Sequence, residues 1–268
     1  MASQPSFVPA RLTPKESASD SCARAIRAAI LNGELSPGER LPPERTLSQR
    51  FGTSRLTLRA GLSQLAAAGL LSVRQGSGYV VQDFHKSGGT DLLGGLAALA
   101  RQRGRLAETA ADLLRVRRHL AGAAFERLLE TWRPASARRV APRLAAFADA
   151  VAAHGRARAA GDAAALAAAH AAVASADLEL VAAIIAEADS PVLGLCMNPI
   201  ARVLGEMSEL TAAMYAEPEG NLAGFRAILA GLDAHHPGLP ALVVAELTKR
   251  DEATLKRLRS GNRGRGRR

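Results

Sequence analysis

The sequence predicts a mainly α protein: an N-terminal winged helix-turn-helix with a small β-hairpin, then a C-terminal all-α antiparallel helical bundle. Three observations predict it. First, a short helical run, a glycine and a capped second helical run follow one another within residues 44–69. Second, LLSVRQ and YVVQ flank a GSG turn directly afterwards, the pattern of a hairpin. Third, the rest of the chain is rich in Ala and Leu, has only 3% aromatics overall, and carries no alternating strand pattern.

The elements follow in order. Residues 1–19 are polar and Pro/Ser-containing and read as a loose arm. A helix follows, capped by Asp20 or Ser21, with Ile26 and Ile30 on one face and Gly33 ending it. SPGERLPPER supplies a Pro-Gly turn, and Pro42 and Pro43 lead into a helix from Glu44 to Phe51. Gly52 closes it, and Thr53 or Ser54 caps the next helix, where Leu58, Leu62 and Leu65 share a buried face. With the hairpin, the winged domain spans 20–82. DFHKSGGT, 83–90, reads as a linker. The bundle covers 91–258, with helical patterns over 91–104, 107–132, 134–159, 162–188, 191–216, 221–234 and 240–260. Residues 259–268, SGNRGRGRR after Arg259, read as a disordered basic tail.

Charge is placed unevenly. Residues 1–90 hold 11 basic and 6 acidic residues, 91–258 hold 19 of each, and 259–268 hold 5 Arg and no acid. A basic N-terminal domain beside a neutral helical body points to nucleic acid at one end. Cys22 and Cys196 lie far apart, with neither a disulfide framework nor zinc spacing. The N-terminus lacks the apolar stretch of a signal peptide, and no run of about 18 apolar residues stands out. The expectation is a cytoplasmic chain without a membrane partner. The body shows no G-x-G-x-x-G, P-loop, G-x-S-x-G or H-E-x-x-H, so no enzyme and no catalytic residues are expected.

The third helix of the winged unit crowds Ser54, Arg55, Thr57 and Arg59 into its first turns, where the helix dipole disfavours positive charge. A polyanion resolves the conflict. Free N–H groups at a helix N-terminus suit a phosphate, and Arg55 and Arg59, four apart, share a face from which guanine can be gripped in the major groove. Leu56 lies nearly opposite the leucine stripe and is expected outside the core.

The stretch GERLPPERTLSQRFGTSRLTLRAGLSQLAAAGLLSVRQGSGYVV resembles the DNA-binding domain of the GntR family of bacterial transcription regulators, through L-P-P-E-R-x-L, S-R-x-T-L-R, L-x-x-L-x-x-x-G-L-L and Q-G-S-G-Y-V-V. The helical remainder resembles the FadR branch, through VVQDFHKSGGTDLLGGLAAL, DLLRVR and ADLELVAAIIAEADSPVLGLCMNPI. The resemblance implies a DNA-binding regulator working as a homodimer on a short inverted repeat. Its DNA contacts would be Arg45, Ser54, Arg55, Thr57 and Arg59, with Arg74, Gln75 and Gly76 at the wing.

It also implies a small-molecule effector in the bundle. Many members of the branch hold a divalent metal through one Asp and three His. Here Asp177 remains, while Val181, Phe225 and the Thr248–Lys249 region stand where the histidines would be, so no metal and no cofactor are expected. His235 and His236 read as loop residues and His170 as a helix-surface residue. Arg117 matches the L-L-x-V-R, and Gly194, Leu195 and Asn198 the G-L-x-x-N, of fatty-acid-responsive members. These four are the candidate effector residues, with acyl-CoA or another anionic metabolite as the implied ligand. The alternative is an architectural DNA-binding protein that takes no ligand.

Overall fold

The structure, a computed structural model, describes residues 17–74 and 78–265, with side chains given to residue 260. The chain divides after Gly95 into two compact units.

The first unit opens with α1 (Ala18–Asn32). Its cap lies three residues earlier than the sequence suggests. Ser17 Oγ accepts from Asp20 N at 3.2 Å, and the Asp20 carboxylate accepts from Ser17 N at 3.4 Å. Asp20 is therefore the third residue of a reciprocal capping box rather than the cap. Gly33, at φ +80°, ends the helix in the left-handed conformation. α2 (Glu44–Arg50) and α3 (Arg55–Ala67) make the helix-turn-helix around Gly52. Leu58, Leu62 and Leu65 are fully buried, as their spacing predicts. Gly61 lets α1 approach: a Cβ there would lie 2.6 Å from the Ser19 carbonyl oxygen.

β1 (Leu71–Arg74) pairs antiparallel with β2 (Gly78–Val81), Leu71 opposite Val81 and Arg74 opposite Gly78. Arg40 adds a bridge to Val80, which the hairpin pattern does not reveal.

The expected linker is instead fastened to the winged unit. α4 (Phe84–Ser87) is one helical turn capped by Asp83, and Ser87 Oγ donates to the Gly69 carbonyl at 2.7 Å. Gly69 sits at φ +71°, where a Cβ would collide with the Ser87 carbonyl oxygen. Leu92, in a 3-10 turn (Thr90–Leu92), is buried in the same core as Leu58 and Leu62. The local sequence, short and glycine-rich, carries no trace of these distant partners.

The second unit is all helix: α5 (Leu93–Gln102), which straddles the division, then α6 (Leu106–Thr131), α7 (Pro134–Ala160), α8 (Ala163–Ala186), α9 (Pro191–Glu206), α10 (Ser208–Met214), α11 (Pro218–Asp233) and α12 (Leu239–Arg265). α6 packs on α12 and α7 on α8. The core includes Phe125, Trp132, Phe147, Leu180, Ile184 and Leu232. Trp132 is buried with its indole N–H donating to Asp233 at 2.8 Å, which satisfies the polar handle of a buried indole.

Three expectations are corrected. The pattern over 191–216 is two helices, broken at Met207, whose side chain is buried where the chain turns. α12 continues to Arg265, past residue 259, where the tail was expected to begin. α8 is, among the described residues, the one helix long and apolar enough by composition to cross a membrane. The sequence reading missed it because its apolar character comes largely from Ala. It lies along α7 with Val173, Leu180 and Ile184 buried.

Candidate DNA-reading surface and bundle cavity

Ser54 is the N-cap of α3. Its hydroxyl accepts from Thr57 N at 3.1 Å and lies 2.8 Å from Thr57 Oγ1. The two hydroxyls thus shape the helix N-terminus, and no acid occupies its first turn to compete for an anion. Arg55 and Arg59 are exposed, Thr57 is half-buried, and Arg45 is exposed on α2. Leu56 is 81% exposed, a large apolar side chain in water on the same helix turn. Packing inside the unit does not require it.

Arg59 has a partner that the sequence reading did not identify. Its Nε and one terminal nitrogen grip the Glu44 carboxylate at 3.2 and 2.7 Å, and Glu44 holds the guanidinium pKa above its ordinary value. The pair is exposed enough to add little stability. Its effect is positional, holding the guanidinium between α2 and α3. Arg74 is exposed at the end of β1. Gln75 and Gly76, expected at the wing tip, lie outside the described residues.

The second candidate site is a cavity of about 130 Å³ inside the bundle. Phe125, Val181, Ile184, Phe225, Val243 and Leu247 make its apolar wall, and Asp177, Tyr215, Arg117 and Arg250 its polar side. Burial pushes the Asp177 carboxyl up to about 6, although the Tyr215 hydroxyl donates to it and Arg117 and Arg250 pull the other way. Tyr215 is itself buried, and its pKa is driven well above 10, first by burial and then by the Asp177 charge.

The folded state therefore holds the Asp177 proton more tightly than the unfolded chain does. That stabilising contribution is present below about pH 3.8 and is lost as pH rises through about 6. Asp177→Asn, which imitates the protonated acid, should raise Tm at about pH 8. The gain should shrink through pH 6 and vanish near pH 4. A Tm difference constant across that range would contradict the assignment.

The effector candidates do not converge. Arg117 lines this cavity, but its terminal nitrogen is bound to Asp251 at 2.7 Å, and Arg118 takes the other Asp251 oxygen at 2.8 Å. Gly194 and Asn198 line a groove between α8 and α9 that adjoins the cavity through Val181, Ile185 and Met197, and Leu195 is 71% exposed. The four candidates divide between the cavity and this adjoining groove.

Three of the four metal positions, Asp177, Val181 and Phe225, do converge on the cavity, while Thr248 and Lys249 are not in its lining. Val181 and Phe225 stand in the cavity wall with Asp177, so apolar side chains occupy the places where imidazoles would be needed. With both Asp251 oxygens held by arginines, this donor set does not fit a divalent metal. Among the described residues, no group of three or more His, Cys, Asp or Glu is placed to hold one.

His235 and His236 lie in the α11–α12 connection, as expected, with His235 at φ +48°. His170 is not a plain surface residue. It is half-buried, with Nε2 3.2 Å from Nε2 of His154, which is buried and has its pKa lowered by desolvation and by His170.

Comparison with known proteins places the first unit. The family described as bacterial regulatory proteins, gntR family, matches residues 18–81. The HTH-type transcriptional regulator Mce2R of Mycobacterium tuberculosis is 48% identical over 68 residues, 25% of this chain and 28% of that protein. The fatty acid metabolism regulator protein of Erwinia tasmaniensis is 34% identical over 115 residues, 43% of this chain and 47% of that protein. The chain thus spans less than half the length of either relative. A solved structure described as Lar, which controls expression of the Listeria monocytogenes agr system, aligns over 92% of this chain and 99% of its own, with TM-score 0.51 and 18% identity. That likeness concerns the fold alone.

Proposed function

We propose, from the match of residues 18–81 to the bacterial regulatory proteins of the gntR family, that the protein is a cytoplasmic, ligand-responsive transcription regulator that binds operator DNA as a homodimer. The observation that carries this reading is the exposed first turn of α3. Arg55, Leu56 and Arg59 face water there on a helix whose other face is fully buried. The unit's own packing leaves Arg55 and Leu56 unaccounted for and gives Arg59 only its exposed pair with Glu44, whereas a major groove suits all three. Arginines grip guanine bidentately, and an apolar side chain meets a thymine methyl. Ser54, Thr57 and Arg45 then serve the phosphates, and Arg74 with the wing the adjacent groove.

The helical unit supplies the responsive part. Its cavity is lined by residues of α6, α8, α11 and α12, so a molecule inside it would touch helices distant in sequence and could bias their packing. The cavity favours this reading over a purely architectural role. Arg117, held by Asp251, lines the cavity, whereas Gly194 and Asn198 line the adjoining groove, so the four residues form no single anion site within the cavity.

Selection of binding sites from a random DNA pool tests the proposal. The expected product is an inverted repeat whose half-sites lie about one helical turn apart. Enrichment of no sequence, or of an unpaired half-site, would refute the dimeric operator reading.

A further inference from the structure

We infer that the bundle cavity binds an uncharged, mostly apolar molecule through a hydroxyl group that donates to Asp177 and accepts from Arg117. The inference rests on the ligand-responsive reading above and specifies the chemistry of its ligand.

Both guanidiniums on the cavity wall are already engaged. Arg117 is tied to Asp251, which it shares with Arg118. Arg250 spends Nε on Glu246 at 2.9 Å, one terminal nitrogen on Asn221 at 3.3 Å and the other on the Gly220 carbonyl at 2.8 Å. It lies so close over Gly224 that a Cβ there would collide with it, which makes it a strap between α12 and α11.

Two polar groups retain unused capacity. Asp177 accepts from the Tyr215 hydroxyl, and a carboxylate has acceptor sites to spare beyond that one bond. Arg117 Nε is buried and has no hydrogen-bond partner in the protein, a costly condition for a donor.

Charge then selects the head group. A carboxylate would face the Asp177 charge, and the Arg117 and Arg250 charges beside it are already paired with Asp251 and Glu246. An ammonium would face Arg117 and Arg250, both of which act electrostatically on Asp177. A hydroxyl carries one donor and accepts as well, so it can answer both unused groups without adding charge. The rest of the molecule meets Phe125, Val181, Ile184, Phe225 and Val243. The volume of about 130 Å³ is close to the roughly 150 Å³ apolar cavity known to admit a benzene ring.

Calorimetry of the full chain at about pH 8, with a chelator present, tests this using benzyl alcohol, benzoate and benzylamine, which share a ring and differ in head group. Benzyl alcohol should bind at least about tenfold more tightly than either ion. In Asp177→Asn that preference over benzoate should collapse, because an amide can donate to the anion. Val181→Phe, which fills the cavity with an apolar ring, should abolish binding while the chain still unfolds in a cooperative thermal transition. Benzoate or benzylamine binding as tightly as the alcohol, none of the three binding, or undiminished binding to Val181→Phe would each overturn the assignment. DNA affinity measured on the same samples separates the two readings. Retained operator binding with failed alcohol binding refutes the ligand alone, and failed operator binding refutes the regulator.

Discussion

Arg55→Ala should lower operator affinity by about 5- to 150-fold, the loss of one bidentate base contact worth roughly 1–3 kcal/mol. Affinity for random DNA should fall far less, since a lost base contact removes sequence reading while most phosphate contacts remain. The side chain is exposed and outside the Leu58, Leu62 and Leu65 face, so Tm should stay within the small range of surface substitutions.

Arg59→Ala should cost at least as much, for a reason specific to this fold. It also releases the Glu44 carboxylate that Arg59 neutralises, leaving a bare negative charge beside the phosphates. Glu44→Gln added to Arg59→Ala should therefore recover part of the loss. Fluorescence anisotropy at one fixed salt concentration, on operator and on random DNA, reads both effects. Unchanged operator affinity in both arginine variants would place base reading elsewhere.

Asp251→Ala should destabilise the helical unit by about 3 kcal/mol. Removing one member of a buried ion pair strands the other, at roughly 3–5 kcal/mol. The low end applies because Arg117 and Arg118 keep 21% and 16% of their side-chain surface exposed, while Asp251 keeps 3%. Burial raises the Asp251 pKa despite both arginines, so desolvation outweighs their attraction. The triad is accordingly a poor source of net stability but costly to break. At about 2–4 °C per kcal/mol for a unit of this size, Tm should fall by roughly 6–12 °C. Replacing all three together, as Arg117→Met, Arg118→Leu and Asp251→Leu, should restore most of it. Thermal denaturation with a loss under about 1 kcal/mol for Asp251→Ala would show that the arginines find other partners.

Much of this was legible in the sequence because it is local. Helix periodicity, the cap at Ser54, the glycine turn at Gly52 and the hairpin residues act over three to ten positions. The same locality made Arg55 and Arg59 conspicuous, since four residues put both on one helix face. It also explains the misses. Nothing within ten residues of Ser87 reveals that its hydroxyl will find Gly69, 18 positions back. Nothing near Met207 announces a helix break that burial of its side chain accompanies.

The sequence by itself determined the winged helix-turn-helix, the leucine face of α3, the helical body and the absence of histidines where the metal-binding pattern would need them. Each follows from residue type and short-range spacing. Only the tertiary structure decided what the charges do. Arg117 looks like an anion receptor in sequence until the fold brings Asp251, 134 positions away, to 2.7 Å. Asp177 is an ordinary acid until the fold brings Tyr215, Phe225 and Val243 around it. A charged group's role depends on the partners and the water within a few ångströms of it, and those are set by packing between elements far apart in the chain.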